Sequence, residues 1–331
     1  MDSTSRSLDS LLDSRWQNTR LSRSHECARS FRKTDGKLIH GVEGPDPYCR
    51  FHEDRVLINP QTKKDKMPSR ISVITPTRNM GHFLEPCILS NMAQFYPDLE
   101  HIVVDGASTD NSVEILRRYP HLRWVSEPDK GLSDGLNKGI RMATGDIIGW
   151  CNADDLYLPG TLIVVNEFFE AHPDIDLVYG DYRETDEFGR SIRVFREMHF
   201  SPFVFRWLKV NIIPTSSAFW RRRIHDNDLW YEDKMRYAMD YDFLRRAFAQ
   251  GYKYQHVSIL FTDFRRHGGS LTAAGGQLRE HEMIVRRDAG AFWRSFGPAF
   301  PLIRWIFKQS ARALRIGEKC LRGLYFDNSR K

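Results

Sequence analysis

The sequence is short of the features that mark several common classes of protein. Its 331 residues include only five cysteines, widely spaced and without a CxxC pair, so neither a disulfide framework nor a zinc site is expected. No GxGxxG stretch follows an apolar run, which excludes a dinucleotide-dependent oxidoreductase. The sequence also lacks the roughly 18 consecutive apolar residues of a transmembrane helix and the apolar stretch of a secretory signal. We therefore expect a cytoplasmic protein that does not cross a membrane.

Positive charge is concentrated near the end of the sequence. The net charge is +6, and residues 294–331 hold nine Lys and Arg against two acidic residues. Phe, Trp, Leu and Ile alternate with these cations, a pattern typical of a helix lying on an anionic membrane surface at the inner face. The pattern fits equally well a helix that packs its apolar side on the rest of the protein or on a second subunit, so the oligomeric state stays open. No nucleic-acid-binding motif is present, and nucleic acid is not expected as a partner.

Three segments differ in composition. Residues 1–66 are rich in Ser and Arg and then punctuated by Gly and Pro, which predicts a partly ordered N-terminal extension. Residues 67–275 alternate short β-branched runs with helical patterns and are predicted to form the main domain. Residues 276–331 are predicted to be a helical basic tail.

Strand and helix patterns alternate four times in the first part of the main domain. The four apolar runs are "ISVITP", "LEHIVVD", "LRWVSEP" and "DIIGWCNA", and each of the first three is followed by a turn and a helical pattern. Such alternation predicts an α/β fold with a Rossmann-like, mostly parallel sheet, right-handed crossovers and helices on both faces. Ligands in these sheets bind outside the carboxyl ends of the strands. All four strand ends are polar here, and the residues concerned are Thr75, Thr77, Arg78, Asp105, Ser108, Asp129, Lys130, Asp154 and Asp155.

Two adjacent carboxylates, Asp154 and Asp155, follow the fourth strand. Like charges side by side repel, so they need a counter-charge, solvent or a metal ion. Mg²⁺ and Mn²⁺ suit the position because they take one or two protein oxygens and complete their shell with water and substrate phosphate. Alternatively, Asp154 caps the helix that begins near Pro159 and Asp155 is merely solvated. The three other polar strand ends at the same rim favour the metal.

Five stretches in this order resemble the family 2 glycosyltransferases: "ISVITPTRN", "IVVDGASTDNS", "SEPDKGLSDGLNKG", "GDIIGWCNADDLYLPGTL" and "MDYDFLRRA". The resemblance covers about residues 70–275. It implies a GT-A fold, a nucleotide-diphospho-sugar donor, inversion at the anomeric carbon, and Mn²⁺ or Mg²⁺ as cofactor. Asn152 stands where the family often has an acid, which leaves open whether Asp154 or Asp155 ligates the metal directly, and "DGAS" replaces the more usual "DDGS".

The resemblance also implies roles for individual residues. The "TPTRN" stretch and Asp105 would hold the nucleobase and ribose, and residues 129–138 would line the ribose and diphosphate. Metal ligands would be Asp154, Asp155 and His267, the last in "FRRHGGS", with Arg265 and Arg266 as candidates for the phosphates. The implied donor-binding set is Thr75, Pro76, Thr77, Arg78, Asp105, Ser108, Asp129, Lys130, Asp134, Lys138 and Asp154.

Inversion at the anomeric carbon requires a catalytic base on the face opposite the leaving diphosphate. A carboxylate suits this position because it also stabilises an oxocarbenium-like centre. Asp240 matches the acidic position of the family's "ED" motif and is predicted to be the base, the alternative being that it is only a charge at a helix N-terminus. Asp242 would point elsewhere on the helix. Trp220 would either stack on an acceptor sugar or lie in the core.

The sequence therefore predicts a metal-dependent inverting glycosyltransferase of polysaccharide or glycoconjugate biosynthesis. Its donor would be a nucleotide-diphospho-sugar, with a UDP-sugar favoured, and its acceptor a hydroxyl of a glycan or a lipid-linked molecule. Two alternatives remain. A nucleotidyltransferase would show a Gly-rich basic loop after the first strand, which "TPTRNMGHF" lacks. A non-catalytic nucleotide-sugar-binding protein would bind the donor without turnover.

Overall fold

The computed structural model describes residues 31–34, 37–40, 67–207, 210–270 and 276–288, with single helical positions at 306, 309, 313 and 317. Two short antiparallel strands, β1 (Phe31–Thr34) and β2 (Lys37–His40), form a separate two-stranded sheet. The rest of the predicted N-terminal extension and most of the predicted basic tail lie outside the described residues. Within the part that is described, no helix combines the length and the apolar character needed to cross a bilayer.

The first half of the main domain has the predicted alternation of strands and helices. The strands are β3 (Ile71–Thr77), β4 (Leu99–Asp105), β5 (Arg123–Ser126) and β6 (Ile147–Trp150). The helices are α1 (Gly81–Met92), α2 (Ser112–Arg117) and α3 (Leu132–Met142). All strand pairings in this half are parallel, so the carboxyl ends of β3 to β6 lie at one edge.

The second half adds strands of both directions and three further helices. Its strands are β7 (Leu156–Tyr157), β8 (Leu177–Thr185), β9 (Ser191–Phe195), β10 (Ala218–Arg221) and β11 (Tyr254–Arg265). Its helices are α4 (Thr161–Ala171), α5 (Met239–Ala249) and α6 (Gln277–Arg287). The break after α5 falls at Gly251, whose φ of 95° is a left-handed conformation that favours glycine.

These strands join one nine-stranded sheet in the order β5-β4-β3-β6-β10-β8-β11-β7, with β9 paired to β8. β10 is antiparallel to both β6 and β8, whereas β11 runs parallel to β8. The predicted parallel sheet thus holds for residues 71–150, and the second half makes the complete sheet mixed. The two-residue strand β7 pairs antiparallel with β11, which brings the segment after β6 alongside the end of β11.

Apolar residues cover both faces of the sheet. Val73 and Ile74 are both fully buried, yet they point to opposite faces and belong to different core clusters. One cluster includes Leu136 of α3 and Phe243 of α5, and the other includes Val165 of α4. With helices on both faces, the carboxyl ends of β3 to β6 form an edge at which polar side chains can gather.

Candidate active site

The ends of β3 and β4 lie side by side at the rim. Thr77 is paired with Asp105 in the parallel register. The Asp105 carboxylate is fully buried and accepts hydrogen bonds from the Ser126 hydroxyl at 2.6 Å, from the Ser108 backbone N–H at 3.0 Å and from the Ser108 hydroxyl. The Thr77 hydroxyl is buried, and among the described residues it has no hydrogen-bond partner. Thr77 therefore offers an unused polar group beside a fixed carboxylate.

The other residues of the "TPTRN" stretch differ in where they point. Thr75 is fully buried, and its hydroxyl lies 2.9 Å from Nε2 of His101 in the interior. Burial lowers the pKa of His101 to about 3, so this imidazole is neutral. Pro76 is also buried within the strand, whereas Arg78 is exposed beyond its end. Thr77 and Arg78 are thus the members of this stretch that face the rim.

Asp129 brings the loop after β5 to the same place. Its carboxylate accepts a hydrogen bond from the Gly131 N–H at 3.0 Å. The same carboxylate lies close to Gly106. A Cβ added to that glycine would lie 2.3 Å from Asp129 Oδ2. Glycine at 106 therefore leaves room for the carboxylate of Asp129 next to the residue after Asp105.

Three other predicted residues hold the same loop in shape. The Lys138 ammonium lies 2.8 Å from the Glu127 carboxylate, 3.0 Å from the Pro128 carbonyl and 3.4 Å from Asp134. The hydrogen bond with Glu127 raises the pKa of Lys138. Asp134 also accepts the Lys130 backbone N–H at 3.1 Å. The Lys130 ammonium is 77% exposed and lies 3.8 Å from Asp233, so it remains accessible to a ligand.

Asp154 and His267 meet at the rim although 113 residues separate them. Nε2 of His267 lies 2.9 Å from Oδ2 of Asp154. The side chain of Asp154 is 18% exposed and that of His267 is 6% exposed, so the pair is mostly covered but open on the Asp154 side. The ring of Phe83 packs against the imidazole, with centroids 4.5 Å apart. The pairing of β7 with β11 explains the meeting, because it aligns the two segments just beyond the strand ends.

Asp155, unlike Asp154, is turned into the interior. It is fully buried, and its oxygens accept hydrogen bonds from the Arg265 backbone N–H at 3.1 Å and from the Asn152 side chain at 2.9 Å. Burial, with the neighbouring charge of Asp154, raises the pKa of Asp155 well above its usual range. Asp155 thus ties the loop after β6 to the end of β11, and Asp154 is the carboxylate left facing the rim.

The two arginines before His267 have different surroundings. Arg265 is 6% exposed, its guanidinium lies 5.0 Å from the centroid of the Phe83 ring, and its buried Nε has no hydrogen-bond partner among the described residues. Arg266 has a 65% exposed side chain and lies 3.3 Å from the carboxylate of Glu184. Arg265 therefore carries a buried donor available to a ligand next to His267, a setting that favours an anion.

Asp240 is the second residue of α5, and contacts connect it to the rim. Its carboxylate accepts hydrogen bonds from the Asn211 side chain at 3.3 Å and from Thr215. Burial raises the pKa of Asp240 to about 6. The neighbouring Met239 packs against the hydroxyl of Ser133 at the start of α3, which follows the end of β5. Asp240 is thus a half-buried residue whose carboxyl has a pKa close to neutral, as a general base requires.

Asp242 and Trp220 have structural surroundings. Asp242 is fully buried and pairs with Arg246 at 2.7 Å and with Arg287 at 2.5 Å. Trp220 is 2% exposed, and its indole N–H donates to His225 Nε2 at 2.8 Å, so it is a core residue. The sequence interpretation placed the stretch "NIIPTSSAFWRR", which contains Asn211 and Thr215, at the acceptor side, but it did not foresee their contacts with Asp240, because no local pattern reveals contacts made only through folding.

Some of the side chains at the rim could bind a metal ion. Across the described residues, no group of three or more His, Cys, Asp and Glu could hold a metal ion alone. Magnesium and manganese nevertheless use one or two protein ligands when substrate phosphates supply the others. Asp154 and His267, which share a hydrogen bond of 2.9 Å at the rim, offer one oxygen and one nitrogen ligand. The two side chains therefore fit a divalent cation that is completed by a phosphate ligand.

Comparisons with known proteins identify the family and the fold of the chain. The family model described as Glycosyl transferase family 2 matches residues 72–230. A PGL/p-HBAD biosynthesis glycosyltransferase of Mycobacterium tuberculosis is 32% identical over 210 residues, which are 60% of this chain and 77% of the relative. The hyaluronan synthase of Pasteurella multocida is 23% identical over 224 residues, 66% of this chain and 23% of that protein.

Two solved structures share the fold. Staphylococcus aureus TarS 1–349 in complex with UDP-GlcNAc superposes with a TM-score of 0.55 at 19% identity, covering 67% of this chain and 68% of that one. The mannosyltransferase PcManGT from Pyrobaculum calidifontis, in complex with GDP-Man and Mn²⁺, has a TM-score of 0.52 at 21% identity and covers 79% of each chain. At these identities the likeness shows the GT-A fold alone.

Proposed function

The chain belongs to glycosyltransferase family 2, and we propose that it transfers a sugar from a nucleotide-diphospho-sugar to an acceptor hydroxyl with inversion, assisted by Mn²⁺ or Mg²⁺. The observation that carries the proposal is the pairing of Asp154 with His267 at the rim, next to Arg265, whose buried Nε has no hydrogen-bond partner among the described residues. Known structures of this fold bind UDP-GlcNAc or GDP-Man, so UDP- and GDP-sugars are the donors to test, with a UDP-sugar favoured.

The donor would lie along the rim in the order of the strand ends. Thr77, Asp105 and Ser108 would hold the base and ribose, with Arg78 at the exposed side. Asp129 and Lys130 would border the ribose and diphosphate, and the contacts of Asp134 and Lys138 would keep their loop in place. Arg265 would donate to phosphate oxygens from a buried position, where a charge-assisted hydrogen bond is strong.

Asp154 and His267 would hold the divalent cation, while Asp155 fixes the loop that carries Asp154. When bound, the cation supplies positive charge that stabilises the diphosphate as a leaving group. Asp240 would accept the proton of the acceptor hydroxyl as its oxygen bonds to the anomeric carbon. The bond from that carbon to the diphosphate breaks on the opposite face, and the nucleoside diphosphate leaves with the electron pair. The hydrogen bonds from Asn211 and Thr215 orient the carboxylate for this transfer.

Replacement of Asp240 by Asn tests the proposed base. Asn keeps the shape but cannot take a proton, so we expect nucleotide release with Mn²⁺ to fall by roughly 10²- to 10⁴-fold while donor affinity stays nearly unchanged. A panel of UDP-, GDP- and dTDP-sugars, followed by thermal shift and by nucleotide release, supplies both measurements. Equal loss of donor binding and turnover would make Asp240 structural, and donor binding without any turnover in the wild type would indicate a non-catalytic binding protein.

The acceptor proposed is a glycan or a lipid-linked molecule, and the basic tail would bring the enzyme to the inner membrane face as a peripheral protein. The interleaved aromatic and basic residues of 294–331 support this proposal. Sedimentation with anionic vesicles at low salt should retain the protein, and added salt should release it. Absence of binding at low salt would instead favour a tail that packs on protein.

A further inference from the structure

One face of helix α6 is directed at α5, the helix that carries the proposed base. Residues 280, 281, 284, 287 and 288 have the spacing that places side chains on one side of a helix. The His281 ring stacks on Tyr241 with centroids 4.5 Å apart, and Ile284 is fully buried in the same core cluster as Tyr241. Arg287 pairs with Asp242 at 2.5 Å. α6 is therefore attached to the helix of the active site by apolar and ionic contacts.

The first turn of α6 reaches the segment directly before α5. The carboxylate of Glu280 accepts hydrogen bonds from three consecutive backbone N–H groups, those of Arg236 at 3.0 Å, Tyr237 at 2.7 Å and Ala238 at 2.9 Å. Ala238 is the N-cap of α5 and has no side chain that could cap the helix. The negative charge of Glu280 thus satisfies backbone donors that would otherwise need water, at the positive end of the helix.

The same segment is held from the donor side as well. The Ser133 hydroxyl, in the first turn of α3, donates to the Met235 carbonyl at 3.1 Å and contacts the sulfur of Met239 at 2.8 Å. Residues 235–239 are therefore fixed between α3, whose start borders the proposed donor site, and Glu280 of α6. Asp240 follows at once, so the place of its carboxyl depends on both attachments.

We propose that Glu280 is a positioning residue for sugar transfer: by holding the backbone of residues 236–238, its carboxylate sets the place of the Asp240 carboxyl relative to the donor. This inference rests on the proposed role of Asp240 as the base. Displacement of a reacting group by about 1 Å can reduce a rate by two orders of magnitude. A clamp of three charge-assisted hydrogen bonds, two residues from the base, limits such displacement.

Glu280→Gln tests the clamp, with Glu167→Gln as the control, because Glu167 is an exposed glutamate on helix α4. Gln offers one acceptor oxygen without charge, so we expect faster hydrogen exchange at the amides of residues 236–238. We also expect kcat for nucleotide release to fall roughly tenfold with an unchanged KM for the donor. The acid limb of the pH profile should move below pH 6, because a loosened Asp240 is better solvated. Glu280→Asp, which keeps the charge, should recover part of kcat, and Glu167→Gln should behave as the wild type.

The outcomes separate this inference from the proposed function. Unchanged exchange at residues 236–238 in Glu280→Gln overturns the clamp, whatever the activity. Faster exchange with unchanged kcat and pH profile overturns the positioning role and leaves a merely structural contact. If Asp240→Asn keeps full turnover, the proposed base is wrong, and the positioning role falls with it even where exchange confirms the hydrogen bonds. If no donor is turned over by the wild type, the proposed function fails, and so does the positioning role.

Discussion

Two neighbouring arginines at the end of β11 have different surroundings. Arg265 and Arg266 are adjacent and equally charged, yet Arg265 is buried beside Phe83 with a free Nε, and Arg266 is exposed and paired with Glu184. A buried cation is costly unless an anion compensates it. The proposed donor diphosphate is such an anion, so the two arginines should contribute very differently to binding.

Replacement of Arg265 by Gln should weaken binding of UDP or GDP in the presence of Mn²⁺ by roughly ten- to a hundredfold, the range expected for loss of hydrogen bonds to a charged group. Arg266→Gln is the matched control and should bind within about twofold of the wild type, because exposed ion pairs contribute little. Isothermal titration calorimetry measures both affinities. Equal affinities of the two variants would remove Arg265 from the phosphate site.

Asp240 makes a second prediction at this scale, through its raised pKa. Because the carboxyl must be ionised to accept a proton, kcat should fall about tenfold per pH unit below pH 6. A profile that stays flat down to pH 4.5 would contradict the assignment.

The raised pKa of Asp240 also predicts an effect on the stability of the folded state. Folding raises the pKa of Asp240 from 3.8 to about 6, so the folded state loses stability as pH rises between these values. Asp240→Asn removes this cost and should raise the free energy of unfolding at pH 7.5, by up to about 3 kcal/mol, but not at pH 4. Urea denaturation at both pH values measures the difference, and a variant that is less stable at pH 7.5 would contradict the prediction.

Single elements place the site through close packing. Helix α3 crosses the sheet at Gly139, where an added Cβ would lie 2.4 Å from Ile74 of β3 and 3.3 Å from Val104 of β4. The glycine is required here by space, since its backbone conformation is helical. This approach fixes the start of α3, with Ser133 and Asp134, relative to the ends of β3 and β4.

Gly139→Ala should therefore cost about 1–3 kcal/mol of stability by overpacking, even though alanine favours helices. Gly268→Ala is the control, because nothing lies within 4 Å of the added Cβ there. Thermal unfolding of both variants measures this loss of stability. An unchanged or higher melting temperature for Gly139→Ala would show that the helix can shift freely on the sheet.

The sequence was sufficient to predict elements that depend on local patterns. Strands such as Ile71–Thr77 and Leu99–Asp105 were visible as β-branched runs before polar turns, and α5 as a helical pattern stopped by Gly251. The insertion of β10 between β6 and β8 could not be predicted, because strand order depends on contacts between distant segments. The strand β7 was missed because its two residues are too few to show a periodic pattern.

In the candidate site, too, local patterns were predictable and long-range contacts were not. The adjacent carboxylates were visible in the sequence, but the burial of Asp155 follows from its hydrogen bonds to Arg265 and Asn152, which only the fold brings together. The clamp on α5 was also missed, since the sequence placed Glu280 in the basic tail and nothing in its neighbours indicates the loop that it binds. Roles that follow from long-range contacts require the fold.

Both halves of the main domain contribute to one rim. The parallel half supplies the strand ends from Thr77 to Asp154, and the mixed half returns β11 to deliver Arg265 and His267 to the same edge. The sheet thereby brings carboxylates, an imidazole and a guanidinium together from segments far apart in sequence. A divalent cation with a nucleoside diphosphate would balance these charges, and this is the central claim of the proposed function.

Donor binding with and without Mn²⁺ tests that claim most directly, by isothermal titration calorimetry of UDP- and GDP-sugars. We compare the wild type with Asp154→Asn and with Asp174→Asn, an exposed carboxylate paired only with Lys253 at 3.2 Å among the described contacts. The account predicts Mn²⁺-dependent binding that falls at least about tenfold in Asp154→Asn and is kept in Asp174→Asn. Equal donor affinity without Mn²⁺, or wild-type affinity in Asp154→Asn, would contradict it.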